Sequence, residues 1–579
     1  MKRIIFILTT FSLVLAACEN AEFLDEKNPN LIATDNYWKN LEETNATLNS
    51  TYAVMFNHHV LSLLEESWRS DMGWPGYGRP TPGQDQGRAY YYKTYTNDDS
   101  SIQNKWDALY QGIFRANQTI QALQSLEGTV NEEEWTLQMA QARFFRGLFH
   151  FYLHTSFNQG EIIIRDAVPV TQEDFNKGVS PSSEVIAFFR EDLNYAYANL
   201  PASYDGTASN GRVTAGTAAT ILGTSHLYEE EYSQAMTLFN DVIDNPEYGY
   251  RLVNPDVLFT IDGEFNDESI FEINYNVTHR PELGQWDELS QTNRLAFFFR
   301  GVYTAMPAWA LYKYKTEPMD PLDDRNYYID PVEGRKLRNV PLRASQMVTL
   351  IEDAQTLYYL TDYVSENMLK NPVGWGFGHL KKYSNHDHLE SEDDNPEGGW
   401  NSGKNAIVNR LADVYLMRAE TKIKTGDVTG ALADINAVRA RWGLVLLGPA
   451  LDGAHTYNAE VYTAETLMDH LMYVEKPLEL CNEGYSIRWT DLRRWGIIGE
   501  NFERLANEVY HSIDFTYTKM DGGQATSDVS LQLGPDTSGT ASHVVDYEYD
   551  LTAENYIPEL HDYLPIPLSE ITTNSSITD

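Results

Sequence analysis

The stretch VTAGTAATILGTSHLYEEEYSQAMTLFNDVIDNPEYG, residues 213–249, constrains the fold more than any other part of the chain. Leu222 and Gly223 are followed by Ala235 twelve residues after the glycine, Phe239 four further on, and Pro246 near the end. Apolar residues recurring every three or four positions call for helices. Small side chains at Gly223 and Ala235 let two antiparallel helices approach closely, and Phe239 is placed to fill the groove beside the next unit. A helix pair of this kind cannot bury its apolar face alone, so the chain must supply several that stack.

That order and spacing match the tetratricopeptide pattern. A second unit lies in NAIVNRLADVYLMRAETKIKTGDVTGALADINAVRARWG, where Ala419 takes the glycine place, Gly426-Asp427 makes the turn, and Ala431 and Ile435 repeat the later spacing. Two looser pairs are expected at 38–57 with 104–125 and at 132–157 with 182–200, the last helix capped by Ser182 or Ser183. With the units at 213–245 and 404–442, this makes about four helix pairs. The intervening regions, about 68–100, 246–403 and 510–579, are rich in Tyr, Trp, Gly, Pro and Asp, and only SIFEINYN (269–276) reads as a strand. The expected fold class is mainly α. One domain over 31–579 combines a tetratricopeptide-like helical-repeat scaffold with a large irregular, loop-rich ligand-binding subregion.

The N-terminus predicts export. Lys2 and Arg3 precede an uncharged run, residues 4–17, too short for a spanning helix of ~20 residues. A basic start, a short apolar stretch and small residues at its end form a secretory leader. Its end, Leu15-Ala16-Ala17-Cys18, resembles the lipobox of bacterial lipoproteins. Residues 1–17 are then removed, and Cys18 carries the lipid. Several acyl chains, each adding ~0.8 kcal/mol per buried CH₂, make a stable anchor. Residues 18–30, with Glu19, Glu22, Asp25 and Glu26, form an acidic tether. It resembles the signal that sends Bacteroidetes lipoproteins to the outer leaflet of the outer membrane, facing the cell exterior.

Charge narrows the partners. With 43 Lys and Arg against 84 Asp and Glu, the net charge is −41, which repels nucleic acid and anionic headgroups. Nucleic acid is excluded as a partner, and the membrane is reached only through the lipid. Cys481 is the only cysteine besides Cys18, so stability must come from the core, which 42% hydrophobic residues can fill.

No G-x-S-x-G, H-E-x-x-H, Walker or dinucleotide loop occurs, and Cys481 in PLELCNEG reads as packing. The chain is expected not to be an enzyme. The run NHDHLESEDDNPEGG, with His386, Asp387, His388, Glu390, Glu392, Asp393 and Asp394, matches no EF-hand register and reads as a solvated acidic loop. His58-His59 is a weaker metal candidate still. No cofactor is expected, with Ca²⁺ the one left open.

The aromatics are more telling, with 37 Tyr and 12 Trp. Sugar rings have apolar C–H faces on which planar side chains stack, while amides, carboxylates and guanidinium groups bond the hydroxyls. Three irregular stretches, 68–80, 279–309 and 371–388, combine such residues. They nominate Asp71, Trp74, Tyr77, Trp286, Arg300, Trp375, Phe377 and His379 as ligand-binding residues. The competing reading of each ring is a buried loop anchor.

Seven ordered segments resemble the SusD/RagB family of Bacteroidetes outer-membrane lipoproteins. FLDEKNPN follows the lipobox. NKWDALYQGIFRANQTIQAL carries Trp106, Tyr110, Ile113, Ala116 and Asn117 at the family's spacing. QARFFRGLFHFYL has Gly147 where the family more often has Ala. GRVTAGTAATILGTSHLY, NRLADVYLMRAETKIKTGDVTGALADINAVRAR, LELCNEGYSIRWTDLRRWG and YLPIPLSEI complete the set. The chain departs from the pattern at Lys476-Pro477 and at the inserted Ser486-Ile487, which puts local packing there in question. The resemblance implies a tetratricopeptide-type bundle with an irregular binding face. It also implies non-catalytic capture of oligo- or polysaccharide as the lid of a SusC-like TonB-dependent transporter. Family ligand residues lie on variable loops, so none transfers by motif. A neutral glucan or fructan is the expected ligand, with a peptide-import lid of the RagB kind or a non-ligand-binding assembly protein as alternatives.

Overall fold

The computed structural model describes residues 38–579 except 77–78, 80–81, 84, 207–208, 279–290, 362, 365–369, 372–373, 396–400, 546–547 and 578–579, and only the backbone of 85–86, 301–302, 370–371 and 374–375. The leader 1–17, the tether 18–30, Cys18, Tyr77 and Trp286 thus lie outside the described residues.

Among the described residues, eight helices of 13 residues or more build the scaffold: α1 Leu41–Ala53, α2 Ser100–Leu126, α3 Glu132–Ser156, α4 Ser182–Asn199, α5 Ala215–Tyr228, α6 Tyr232–Asp244, α7 Leu411–Lys424 and α8 Val428–Arg441. Each packs on the next in chain order, α1 on α2 through to α7 on α8. The stacking joins α6 to α7 across more than 160 intervening residues, as the repeat pattern requires.

Local chemistry sets the starts of these helices. Asn40, Asp99, Asn131 and Asp427 each accept a hydrogen bond from a backbone N–H in the first turn, satisfying donors that the helix leaves unpaired. Thr214 and Thr217 form a capping box on α5. The expected serine cap on α4 is not made. Pro181 occupies the cap position without a side-chain bond, and Ser182 is the first helical residue. Its Oγ pairs with the His154 ring at 2.9 Å instead.

Close approach explains the small residues. A methyl on Gly223 would stand 2.6 Å from the Phe239 ring. Phe239 is buried with Ala219, Ala235, Leu411, Val414 and Met417, so it fills both its own helix pair and the groove to α7. Gly147 likewise faces the Phe189 carbonyl and Leu193 of α4 at 3.0 Å, which accounts for glycine at that place. Gly223→Val is expected to lower stability by ~1–3 kcal/mol through overpacking, read from the urea midpoint. An unchanged midpoint would show slack in the crossing.

The strand expected at 269–276 is β1, Ser269–Ile273, paired antiparallel with β2, Ala406–Arg410, which runs directly into α7. Four further sheets among the described residues were not anticipated, three of them two-stranded and one three-stranded. Within the region read as irregular, β3 Tyr510–Thr518 lies between β4 Gln524–Leu533 and β5 His543–Val545. The DGG turn between β3 and β4 is a hairpin signal, but the flanking runs are too polar to show clean alternation.

Loops are tied to the scaffold through buried charge. Arg343, Arg410, Arg439 and Arg441 meet Glu268, Glu475, Glu479 and Glu483 in the interior. Both departures from the family pattern are absorbed. Lys476 pairs with Asp491 at 2.7 Å. Ser486 takes a left-handed conformation (φ 52°) at the start of helix Ile487–Arg494, which delivers Arg488 to Asp71 at 2.6 Å. Cys481 is buried, and burial pushes its thiol pKa up to about 11, consistent with packing.

Candidate ligand-binding face

A short antiparallel pairing, Trp74 with Ala305 and Pro75 with Thr304, joins two of the three aromatic stretches. The Thr304 hydroxyl reinforces it by donating to the Trp74 carbonyl at 3.0 Å. Just before this strand, Phe298–Val302 forms a single π-helical turn, a local widening that recurs at functional sites. On and beside it, Arg294, Phe297, Arg300 and Tyr303 are half-buried, and Arg300 rests on the buried ring of Tyr359. The Arg294 guanidinium lies 4.2 Å from the Phe297 ring centroid. Phe297 meets Tyr303 edge to face, centroids 5.3 Å apart at 65°. Arg300 lies 5.2 Å from the Tyr359 ring, whose hydroxyl donates to Glu392 Oε1 at 2.7 Å.

The electrostatics favour a charged donor here. Burial works against the Arg300 charge, but Tyr358, Tyr359 and Glu392 hold its pKa above the ordinary value. A guanidinium held in this way offers N–H donors beside aromatic rings. That combination suits a ligand with hydroxyls and apolar faces.

Of the nominated residues, Arg300 is the described one that is half open at this face. Four others belong to the interior: Asp71 is 0% exposed, Trp74 5%, Phe377 1% and His379 3%. Asp71 is held by Arg488 at 2.6 Å and Asn501 at 2.8 Å. Trp74 packs edge-on to Tyr91 at 5.5 Å. Arg79 lies 4.4 Å from the Trp74 ring and 5.5 Å from that of Phe377. Burial, with Arg300 adding to it, lowers the His379 pKa to about 3, and its backbone pairs with Thr349. These four are therefore corrected from ligand contacts to anchors that hold the loops down. Trp375 contributes backbone to the pair Lys370–Asn371 with Gly374–Trp375, and its side chain lies outside the described residues.

Arg294, Phe297, Tyr303 and Tyr359 were not nominated, although NRLAFFFRGVY, which holds the first three, lies within the flagged 279–309 stretch. Their available signal was arginine alternating with aromatics at a spacing too short for one helix face. The acidic run at 385–394 also needs correction. Glu392 is buried, accepting from the Asn385 backbone at 2.8 Å and its side chain at 2.6 Å, and Asp387 pairs with Lys404 at 2.6 Å. Glu390, Asp393 and Asp394 stay exposed as expected.

Two open grooves mark the helical side. One of about 540 Å³ runs between Trp135, Arg143, Arg146 and Tyr195, and one of about 300 Å³ between Tyr110, Phe114, Arg165 and Phe175.

Two family models match the chain. One, described as "Starch-binding associating with outer membrane", matches residues 22–223, and the other, "SusD family", matches 304–579. The chain is 23% identical over 507 residues to SusD-like protein P25 of Formosa agariphila, covering 86% of this chain and 90% of that protein. In fold it is similar to a SusD superfamily protein of Bacteroides vulgatus, with TM-score 0.67 and 20% identity, covering 94% of this chain and 99% of the other. It is also similar to a laminarin-binding SusD-like protein, with TM-score 0.62 and 20% identity over 93% and 98% of the two chains.

Proposed function

The chain belongs to the SusD/RagB family, and from that premise we propose that it captures a neutral glucan or fructan at the cell surface and acts as the lid of a SusC-like TonB-dependent transporter. The observation that carries this reading is the face around Arg300, where half-buried Arg294, Phe297, Arg300 and Tyr303 lie on and beside one π-helical turn, with the buried Tyr359 ring holding Arg300. The match of residues 22–223 to a starch-binding description supports a carbohydrate ligand, as does the laminarin bound by a protein of similar fold. Capture is without catalysis: Arg294, Arg300 and the rings bind and orient a glycan chain, which passes to the barrel.

Anchoring follows from Cys18. No helix among the described residues is long and apolar enough to cross a membrane, and the lipid on Cys18 would hold the domain on the outer leaflet, facing outward. Cys18→Ala is expected to release the protein from the membrane fraction.

Affinity electrophoresis over a panel of glucans, fructans, pectins and sulfated glycans tests the ligand. Binding of a neutral glycan is expected, with Arg300→Ala weakening it by about tenfold or more, since a hydrogen bond to a charged group contributes ~1.5–3 kcal/mol. The melting temperature should hardly move, because Arg300 is half open. Unchanged affinity in Arg300→Ala would remove this face from the site. Copurification with a barrel but no glycan binding would favour a peptide-import lid.

A further inference from the structure

The segment NHHVLSLLEE, 57–66, folds back on itself behind the candidate face. Asn57 Oδ1 accepts from the His59 N–H at 3.0 Å and starts a one-turn helix, His58–Leu61. Ser62 then takes a left-handed conformation, φ 49° and ψ 40°, which costs a residue with a Cβ roughly 1–2 kcal/mol. The chain restarts as helix Leu63–Arg69. This break returns Glu65 to the histidines: one donor atom from each of His58, His59 and Glu65 lies within 4.8 Å of the other two. The two imidazole rings are 3.8 Å apart between centroids.

We propose that His58, His59 and Glu65 form a binding site for a divalent transition-metal ion of the zinc type. Two imidazole nitrogens and one carboxylate oxygen are a donor set that suits zinc with a fourth position left open. Bonds of ~2.0–2.2 Å require the three donors to close up by roughly 1 Å, within reach of side-chain rotation. Beside His58 an apolar cavity of about 20 Å³, bounded by Leu61, Leu64, Tyr275, Leu295 and Phe298, leaves space on that side of the ring.

The chemistry of the donors agrees with their geometry. Glu65 Oε2 is buried and meets no hydrogen-bond donor among the described residues. The charges facing the site are Lys105, which pairs with Glu66 at 2.6 Å, together with Arg69 and Asp99.

The position suggests what such an ion would do. The His58 ring lies 5.9 Å from Phe298, the first residue of the π-helical turn that carries Arg300. A metal clip at 58–65 would brace that turn from behind. The donor geometry at 57–65 is independent of which ligand the face around Arg300 takes.

The test is calorimetric titration of the metal-stripped full-length chain with ZnCl₂, followed by Co²⁺ and its visible absorption. One equivalent should bind saturably, and Co²⁺ should give the spectrum of a four-coordinate nitrogen–oxygen site. Glu65→Gln and His59→Asn should each weaken Zn²⁺ binding at least tenfold. Glu65→Gln, nearly equal in volume to the native residue, decides the matter if His59→Asn fails to fold. Absence of a one-equivalent site, or affinity in Glu65→Gln equal to that of the native chain, overturns the proposal.

Discussion

Replacing Arg410 by methionine is expected to remove about 3–5 kcal/mol of stability, the scale for breaking a buried ion pair from one side. Arg410 closes strand β2 and leads into α7, and its guanidinium is 1% exposed. It donates to Glu268 at 2.9 Å, Glu479 at 2.6 Å and Glu483 at 2.7 Å. Methionine fills most of the volume but leaves three carboxylates facing an apolar side chain. Arg441 still reaches Glu268 at 2.7 Å, Trp442 still donates to Glu479 at 2.6 Å and Lys382 still pairs with Glu483 Oε1 at 2.7 Å, so the loss falls most on Glu483 Oε2, which Arg410 Nε holds at 2.7 Å. The measurement is urea unfolding at neutral pH. A change under about 1 kcal/mol would mean that the remaining partners satisfy the carboxylates unaided.

The same network sets an acid limb. Burial pushes the Glu479 carboxyl up, but Arg441, Arg410 and Arg343 outweigh it and hold its pKa near 2, against 4.5 for the free group. A folded pKa below the unfolded one contributes stability above about pH 4.5, and that contribution is lost as pH falls towards about 2. Glu317 runs the other way. Burial raises its pKa to about 7, so its contribution is present below pH 4.5 and lost as pH rises through 7. Below 4.5 the limb therefore reports the lowered carboxylates, and Arg410→Met should move it to higher pH.

Trp74→Ala carries the second large expected effect, about 3–5 kcal/mol, as for other buried aromatics cut to alanine. Trp74 is a strand residue with its ring against Tyr91 and Arg79, so its loss opens a cavity where the 68–80 loop meets 304–305. A melting curve of the variant decides between the two roles the residue was given. A large fall in midpoint makes it a core anchor. Weakened glycan binding at an unchanged midpoint would return it to the ligand site. The contrast with Arg300→Ala is the useful one, because that variant should change affinity and leave the melting curve nearly alone.

Much of the scaffold was legible because its signals are local. Gly223 and Phe239 are sixteen positions apart, and the methyl that glycine lacks would strike that very ring. Helix starts carry local signals too, in the capping side chains of Asn40, Asp99 and Asn131, although the one cap expected, at Ser182 or Ser183, is not made. The β3–β4 hairpin was missed because polar strands hide their period. The site was legible only as a region. Arg300 stood out, while its neighbours Phe297 and Tyr303 did not, since they are grouped by a turn whose width no spacing rule announces.

By itself, the sequence determined the mainly helical repeat scaffold, the family and the expectation of a lipid on Cys18. Those signals lie in spacing along the chain, where periodicity of 3.6 and capping chemistry act over a few residues. Only the tertiary structure decided which polar and aromatic loop residues are buried. Asp71 is neutralised by Arg488, and Trp74 is covered through its pairing with Ala305. Whether a ring among glycines faces water or an arginine depends on residues hundreds of positions away, and local composition carries no trace of that distance.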